Sequence, residues 1–327
     1  MAIAGVILIK VIVVFTVLLV LAAYMTWMER RVFALVQVRV GPNRVGPAGL
    51  LQPIADGIKL MFKETLIPAD ANKIVFILAP TLTLIPALSS IAVIPFGDQV
   101  EIFGYKVDLF LADVNIGILY IFALSGLGVY GIVLGSWSSN SKYPLLGGLR
   151  SAAQLISYEL SLGMSLLGVV MLSETLSLKG IVDAQSEIPF IILQPLGFVL
   201  FVICMLAETN RAPFDLPEAE RELTGGFHTE YSSMHFAVYF LAEYCNMITL
   251  SAVGATFFLG GWRGPFLPPV VWFLIKVIAF MFFFMWLRAT TPRLRYDQLM
   301  DFGWKILLPV SILNAVATAG AITFFNL

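Results

Sequence analysis

The sequence predicts an all-α integral membrane protein, a bundle of about eight transmembrane helices with one amphipathic helix beside it. Three observations lead there. Of 327 residues, 59% are hydrophobic and only 13% charged, whereas soluble domains carry about 25% charged residues. Mean hydropathy is +0.90. The apolar residues fall in unbroken blocks, several of which reach the ~20 residues a helix needs to cross a bilayer. An outer-membrane barrel would show ~10-residue alternating strands instead. A soluble enzyme is excluded.

The spans, in order, are placed near 3–27, 74–94, 116–137, 154–172, 190–206, 236–259, 266–286 and 303–325, in a single membrane domain over 1–327. The first is too long for a secretory h-region and is followed by Trp27-Met28-Glu29-Arg30-Arg31 rather than small residues, so it reads as a retained span. The second contains Pro80 and Pro86, which membrane helices tolerate at the cost of a kink. The fifth is the shortest.

Charge sets the expected orientation. Fifteen of the 20 Lys and Arg fall in the segments joining spans 1–2, 3–4, 5–6 and 7–8. Only Lys106, Lys179 and Arg263 fall in the others, while Lys10 and Lys276 lie within spans. The positive-inside rule puts the first set in the cytoplasm and both termini on the other side. The expected location is the bacterial cytoplasmic membrane, or the mitochondrial inner membrane if the chain is organellar.

Within the first joining segment, Gly41-Pro42-Asn43 and Gly46-Pro47 are turn signals. Over 50–65, Leu51, Ile54, Ile58, Met61, Phe62 and Thr65 share one helical face, and Gln52, Asp56, Lys59 and Lys63 the other. This pattern is that of an interfacial amphipathic helix. The plain reading is a connector; the functional one is a lip at the entrance for a lipophilic ligand.

Several motifs carry no chemistry. Gly126-Leu127-Gly128-Val129-Tyr130-Gly131 matches the dinucleotide pattern but lies inside an apolar span, without the strand that pattern requires. Gly131 and Gly135 instead have the spacing for close helix contact. Two cysteines, Cys204 and Cys245, and two histidines, His228 and His235, form no disulfide, iron–sulfur, haem or zinc pattern. No nucleic-acid motif is present, and no redox centre is expected on this chain.

Acids in apolar segments are the informative residues. Glu159 lies in the fourth span and Glu243 in the sixth, where a charge costs ~2.5–3.5 kcal/mol on insertion scales. His235, Tyr239, Glu243 and Asn246 fall at helical spacing and share a face. Such carboxyls suit proton exchange, or else pair with a neighbouring helix to fix packing. The segment 207–235 is the densest polar feature, with Glu208, Arg211, Asp215, Glu218, Glu220, Glu222 and Glu230. Asp215 and Glu218 have capping-box spacing around Pro217, which leaves the other acids without a local role. A wholly solvated acidic loop is the bland alternative.

These residues carry a family likeness. Gly49-Leu50-Leu51-Gln52-Pro53-Ile54-Ala55-Asp56-Gly57-Ile58-Lys59-Leu60, with Gly41-Pro42-Asn43 before it, resembles subunit 1 of respiratory complex I, the H subunit in bacteria. Ala207-Glu208-Thr209-Asn210-Arg211-Ala212-Pro213-Phe214-Asp215-Leu216 resembles that family's second signature. Tyr158-Glu159, Glu230-Tyr231 and Ala242-Glu243-Tyr244 are also similar, and the likeness covers nearly the whole chain. It implies a membrane subunit of proton-pumping NADH:quinone oxidoreductase. With peripheral-arm subunits this subunit would form the quinone chamber, beside antiporter-like membrane subunits and lipid. Quinone would be the substrate. The iron–sulfur cluster and flavin would belong to partner subunits, with no cofactor bound here.

By position, the resemblance assigns Glu159, Glu208 and Glu243 to a proton path. It assigns Arg211, Asp215, Glu218, Glu220, Glu222 and Glu230 to the chamber and its acidic loop, and Glu29, Arg30 and Arg39 to the quinone entrance. Arg221 and His228 depart from the family's pattern. The competing readings are the homologous anchor of a membrane-bound hydrogenase, an ion-coupled secondary transporter, and a passive anchor. A transporter would show two matching halves, which this chain lacks, and a passive anchor has no need for buried Glu159 and Glu243.

Overall fold

The computed structural model describes residues 2–102, 105–217 and 224–325. Among them seven helices are long and apolar enough to cross a membrane, and an eighth, shorter apolar helix covers Pro195–Glu208. The chain is an all-α multi-pass membrane protein.

The first helix, α1 (Ala2–Val36), runs past Trp27. Glu29, Arg30 and Arg31 sit on its last three turns because each finds a partner there. Arg30 pairs with Asp56 at 2.7 Å, and Arg31 and the Trp27 indole both donate to the Ala48 carbonyl. The amphipathic helix is α2 (Gln52–Phe62). Its polar side faces α1 through Asp56, while Ile54, Ile58, Met61 and Phe62 are exposed.

Helix α3 (Lys73–Ser89) contains Pro80 and Pro86. Pro80 has no N–H for the Phe76 carbonyl four residues back. The Tyr231 hydroxyl donates to that carbonyl instead, at 3.1 Å, with its ring stacked on Phe76. A hairpin follows that periodicity does not reveal: β1 (Gln99–Ile102) pairs antiparallel with β2 (Tyr105–Asp108). Helix α4 (Gly117–Ser138) then crosses against α3. A Cβ on Gly131 would lie 2.8 Å from the Ala79 carbonyl oxygen and the Thr83 nitrogen, so the small residue sets this approach.

Helix α5 (Lys142–Ser173) starts twelve residues before position 154 and carries both Gln154 and Glu159. After α6 (Leu178–Ala184), the fifth span is broken into α7 (Phe190–Leu193) and α8 (Pro195–Glu208). At 1.5 Å per residue, α8 is about 21 Å long, short of the ~30 Å hydrocarbon layer. Polar side chains cover the break. The Gln194 amide donates to Thr318 Oγ1 at 2.8 Å and accepts from Asn314 at 3.2 Å.

Helices α9 (Ser233–Phe258) and α10 (Pro269–Thr290) come next. Lys276, within α10, is not an isolated charge. Its ammonium donates to the carbonyls of Leu259, Gly261 and Arg263 at 2.6, 2.8 and 2.7 Å. The last span is α11 (Tyr296–Asp301), a π-helical turn over Phe302–Leu307, and α12 (Leu308–Phe325). It is fastened to α5, where the Tyr158 hydroxyl donates to the Leu299 carbonyl at 2.9 Å and the Trp304 indole to Ser157 at 3.1 Å.

The connecting segments gather at two ends. At one end, Asn72 N–H donates to the Ser138 carbonyl, Leu66 N–H to the Ser232 hydroxyl, and Leu294 N–H to the Pro213 carbonyl. Segments 1–2, 3–4, 5–6 and 7–8 therefore meet. At the other end lie the hairpin and the ion pairs Lys179–Asp98 and Arg263–Asp183.

Candidate functional site

The stretch after α8 is a tight turn rather than an open loop. Arg211 N–H donates to the Leu206 carbonyl, and Phe214 N–H to the Arg211 carbonyl. The Ala212–Pro213 bond is cis. The turn buries Arg211 to 3% exposure and sends its guanidinium between two helices. Arg211 Nε lies 2.7 Å from Glu243 Oε1 on α9, and Nη1 lies 3.5 Å from Glu29 Oε1 on α1. The Tyr244 ring stacks beneath it at 4.7 Å. Glu29, 7% exposed, also receives a hydrogen bond from Tyr244 Oη at 2.7 Å and one from Arg288 on α10. Among the described residues, two carboxylates and two guanidinium groups therefore share this cluster in equal number. Balance of this kind is needed for ions in low dielectric, since an unpaired one is costly.

Glu243 also faces a second set of polar groups. With Glu208, Asn246, Tyr239 and Thr83 it lines a cavity of about 50 Å³. A continuation of about 30 Å³ is lined by Glu208, Asn246, Ser125, Ser90 and Thr249. The Ser125 hydroxyl donates to Glu208 Oε1. Glu208 Oε2 is buried and accepts no hydrogen bond among the described residues. A polar cavity needs roughly 10–15 Å³ of such space to hold one water, so both are large enough. Glu159 on α5 lies beside Gly126 of α4, the residue next to the Ser125 that donates to Glu208. The resulting order of groups is Glu29, Arg211, Glu243, cavity, Glu208, Glu159.

The expected residues divide accordingly. Glu159, Glu208, Glu243, Arg211 and Glu29 lie along this line. Tyr239, Glu243 and Asn246 share the cavity, while His235 instead faces the Phe76 ring, 6.3 Å away. Arg30 lies at the α1–α2 contact, and Arg39 is exposed, donating to the Gln37 side chain. Asp215 is half-buried in the turn, and Glu230 lies next to Tyr231. Glu218, Glu220 and Glu222 lie outside the described residues, and so does the helix start that Asp215 and Glu218 would cap. Among the described residues no three His, Cys, Asp or Glu side chains converge to hold a metal.

Asp56 at the α1–α2 contact titrates abnormally. Partial burial pushes its carboxyl up, but Arg30, the Gln52 amide and Lys59 together outweigh burial and hold it below the usual carboxylate range.

Two residues of this site escape sequence reasoning: Arg288, which donates to Glu29, and Gln154, whose amide donates to the Ala207 and Phe214 carbonyls of the turn. In the sequence Arg288 is one more joining-segment cation. The signal for Gln154 is a lone amide in an apolar helix.

The profile of the NADH dehydrogenase family matches residues 9–319. Among curated proteins, the chain is 57% identical over 309 residues to the first of two NADH-quinone oxidoreductase H subunits of Geobacter metallireducens, covering 94% of each chain. It is 55% identical to the second H subunit of the same enzyme in Syntrophobacter fumaroxidans, over 94% of this chain and 93% of that one. It is 56% identical to the H subunit of Frankia alni, over 96% of this chain and 72% of that one. The chain thus belongs to the NADH dehydrogenase family, as a membrane subunit of an NADH:quinone oxidoreductase complex.

Proposed function

We propose that the chain supplies the membrane wall of the chamber where quinone is reduced, and that its buried carboxylates begin the path by which reduction drives proton translocation. The observation that carries this reading is the shared cavity of Glu243 and Glu208, reached from Glu29 through Arg211. An iron–sulfur cluster and flavin in partner subunits would supply the electrons. Reduction of a quinone to a quinol consumes two electrons and two protons. Until the protons arrive, the added negative charge favours protonation of the nearest carboxylates and loosens their hold on Arg211. Arg211 can release Glu243 while keeping Glu29, because it already contacts both. Freed Glu243 exchanges its proton with Glu208 through water in the cavity.

Orientation belongs to the same reading. The four cation-rich segments meet at one end of the bundle, which the positive-inside rule makes cytoplasmic; both termini then face the opposite side. The exposed apolar face of α2 sits beside that end and suits the lip over which a lipid-borne quinone enters. Partner subunits of the peripheral arm close the chamber, and antiporter-like subunits continue the path.

The reading is tested with Glu208→Gln in the purified complex. Quinone reduction and proton uptake into liposomes should both fall at least about tenfold, the scale on which a lost proton carrier acts. Unchanged rates of both would remove Glu208 from the path.

A further inference from the structure

Gln154 is fully buried on α5, and its side chain meets the turn after α8 from one side. Its Nε2 donates to the Ala207 carbonyl at 2.8 Å and the Phe214 carbonyl at 2.8 Å, and lies 3.2 Å from Asn210 Oδ1. The two backbone carbonyls can only accept, so the amide can be oriented only one way round. The three partners bracket Arg211. Ala207 and Asn210 precede it, and Phe214 follows. Phe214 N–H in turn donates to the Arg211 carbonyl at 2.8 Å, so fixing Phe214 and Ala207 fixes the backbone from which the guanidinium extends.

We infer that Gln154 is the positioning residue for Arg211: its amide clamps the 207–214 turn so that the guanidinium bridges Glu29 and Glu243. The clamp has narrow tolerance because Arg211 must serve two helices from one backbone position. Nε is at 2.7 Å from one carboxylate and Nη1 at 3.5 Å from the other. A turn displaced by about 1 Å loses one of them. Gln154 also joins this turn to the helix that carries Glu159, five residues further along, so Arg211 and Glu159 are referenced to the same rod. The inference rests on the reading that the Arg211 cluster takes part in turnover.

The test uses the intact complex, purified with Gln154→Leu, Gln154→Glu, Arg211→Gln and the double variants Gln154→Leu/Arg211→Gln and Gln154→Glu/Arg211→Gln. Ferricyanide reduction by NADH normalises each preparation for assembled complex. Quinone reduction is then read at saturating quinone across the neutral pH range. Gln154→Leu should lower turnover about tenfold or more, as expected for a ~1 Å misplacement of an acting group. In the Arg211→Gln background the same substitution should add nothing further, because a residue acting through Arg211 has no effect once Arg211 is gone. Gln154→Glu keeps shape but can donate only while its carboxyl is protonated. Its turnover relative to the native complex should therefore fall as pH rises, and that fall should vanish in the Arg211→Gln background, whereas a packing role would keep it there. This variant decides the matter if Gln154→Leu fails to assemble. Multiplying losses in Gln154→Leu/Arg211→Gln, a flat pH ratio for Gln154→Glu, or a fall that persists in the Arg211→Gln background would overturn the positioning role while leaving the cluster's part in turnover intact. Native turnover in Arg211→Gln alone would overturn both.

Discussion

Arg211 and Glu243 lie 2.7 Å apart across the interface between the turn after α8 and helix α9, with Glu29 on the other side of the same guanidinium. One cation thus holds two acids from different helices. Breaking one member of a buried ion group leaves the others uncompensated, at about 3–5 kcal/mol. Arg211→Gln should therefore lower the thermal midpoint of the complex as well as its turnover. Melting followed by the loss of quinone reductase activity reads it. A variant as stable as the native complex would mean that Glu29 and Glu243 are both satisfied by their other partners.

Gly128 faces the cavity between Glu208 and Glu243, and a Cβ added there meets no atom within 4 Å. Ala in place of Gly within a helix gains up to about 1 kcal/mol. Gly128→Ala should leave the complex as stable or more so, yet slow coupled turnover several-fold, because the methyl takes space that water needs. Stability and proton uptake measured on the same preparation would show these opposite signs. Unaltered turnover would mean that protons do not cross this cavity.

Lys276 is the contrasting case of a charge inside an apolar helix. Its three N–H groups are all used on carbonyls of the turn after α9. Hydrogen bonds from a charged group contribute about 1.5–3 kcal/mol each. Lys276→Met should lower the thermal midpoint but leave turnover per assembled complex unchanged. A turnover loss without destabilisation would place Lys276 in the chemistry.

Asp56 gives a pH dependence with a definite sign. Its carboxyl is held below the ordinary range by Arg30, Gln52 and Lys59 against the effect of burial. The stabilisation it supplies is complete above its unfolded-state value of about 3.9 and is lost as pH falls through the lower folded-state value. Hydrogen exchange across Gln52–Phe62, taken as the ratio of Asp56→Asn to native, should exceed one near neutrality and approach one in acid. A ratio of one at neutral pH would show that Asp56 does not anchor α2.

What can be read from the sequence is what hydropathy and charge encode. The long apolar blocks are helices, and Gly131 packs where a small residue permits close contact. Hidden from it are features set by contacts between distant residues. Helix α1 continues through Glu29, Arg30 and Arg31 because Arg288, Asp56 and Ala48 receive them, none of which is near in sequence. Spacing places His235 with Tyr239, Glu243 and Asn246, but a face shared along a helix is wider than a cavity, and His235 meets Phe76. Pro195 breaks the fifth span at Gln194, but the side chains that cover the break, Asn314 and Thr318, lie over a hundred residues away. Glu159, Glu208 and Glu243 stand out because acids in apolar segments are expensive. Gln154 does not, since an amide carries no charge to betray it.

Everything proposed for the proton path depends on Glu243 carrying protons between the Arg211 cluster and Glu208. The most direct test is Glu243→Gln in the purified whole complex, with quinone reduction and proton translocation measured together in liposomes. With assembly intact, both should fall together, because reduction cannot proceed once the coupled proton is blocked. If both are unchanged, Glu243 is a packing partner of Arg211 and the proposed proton route is wrong.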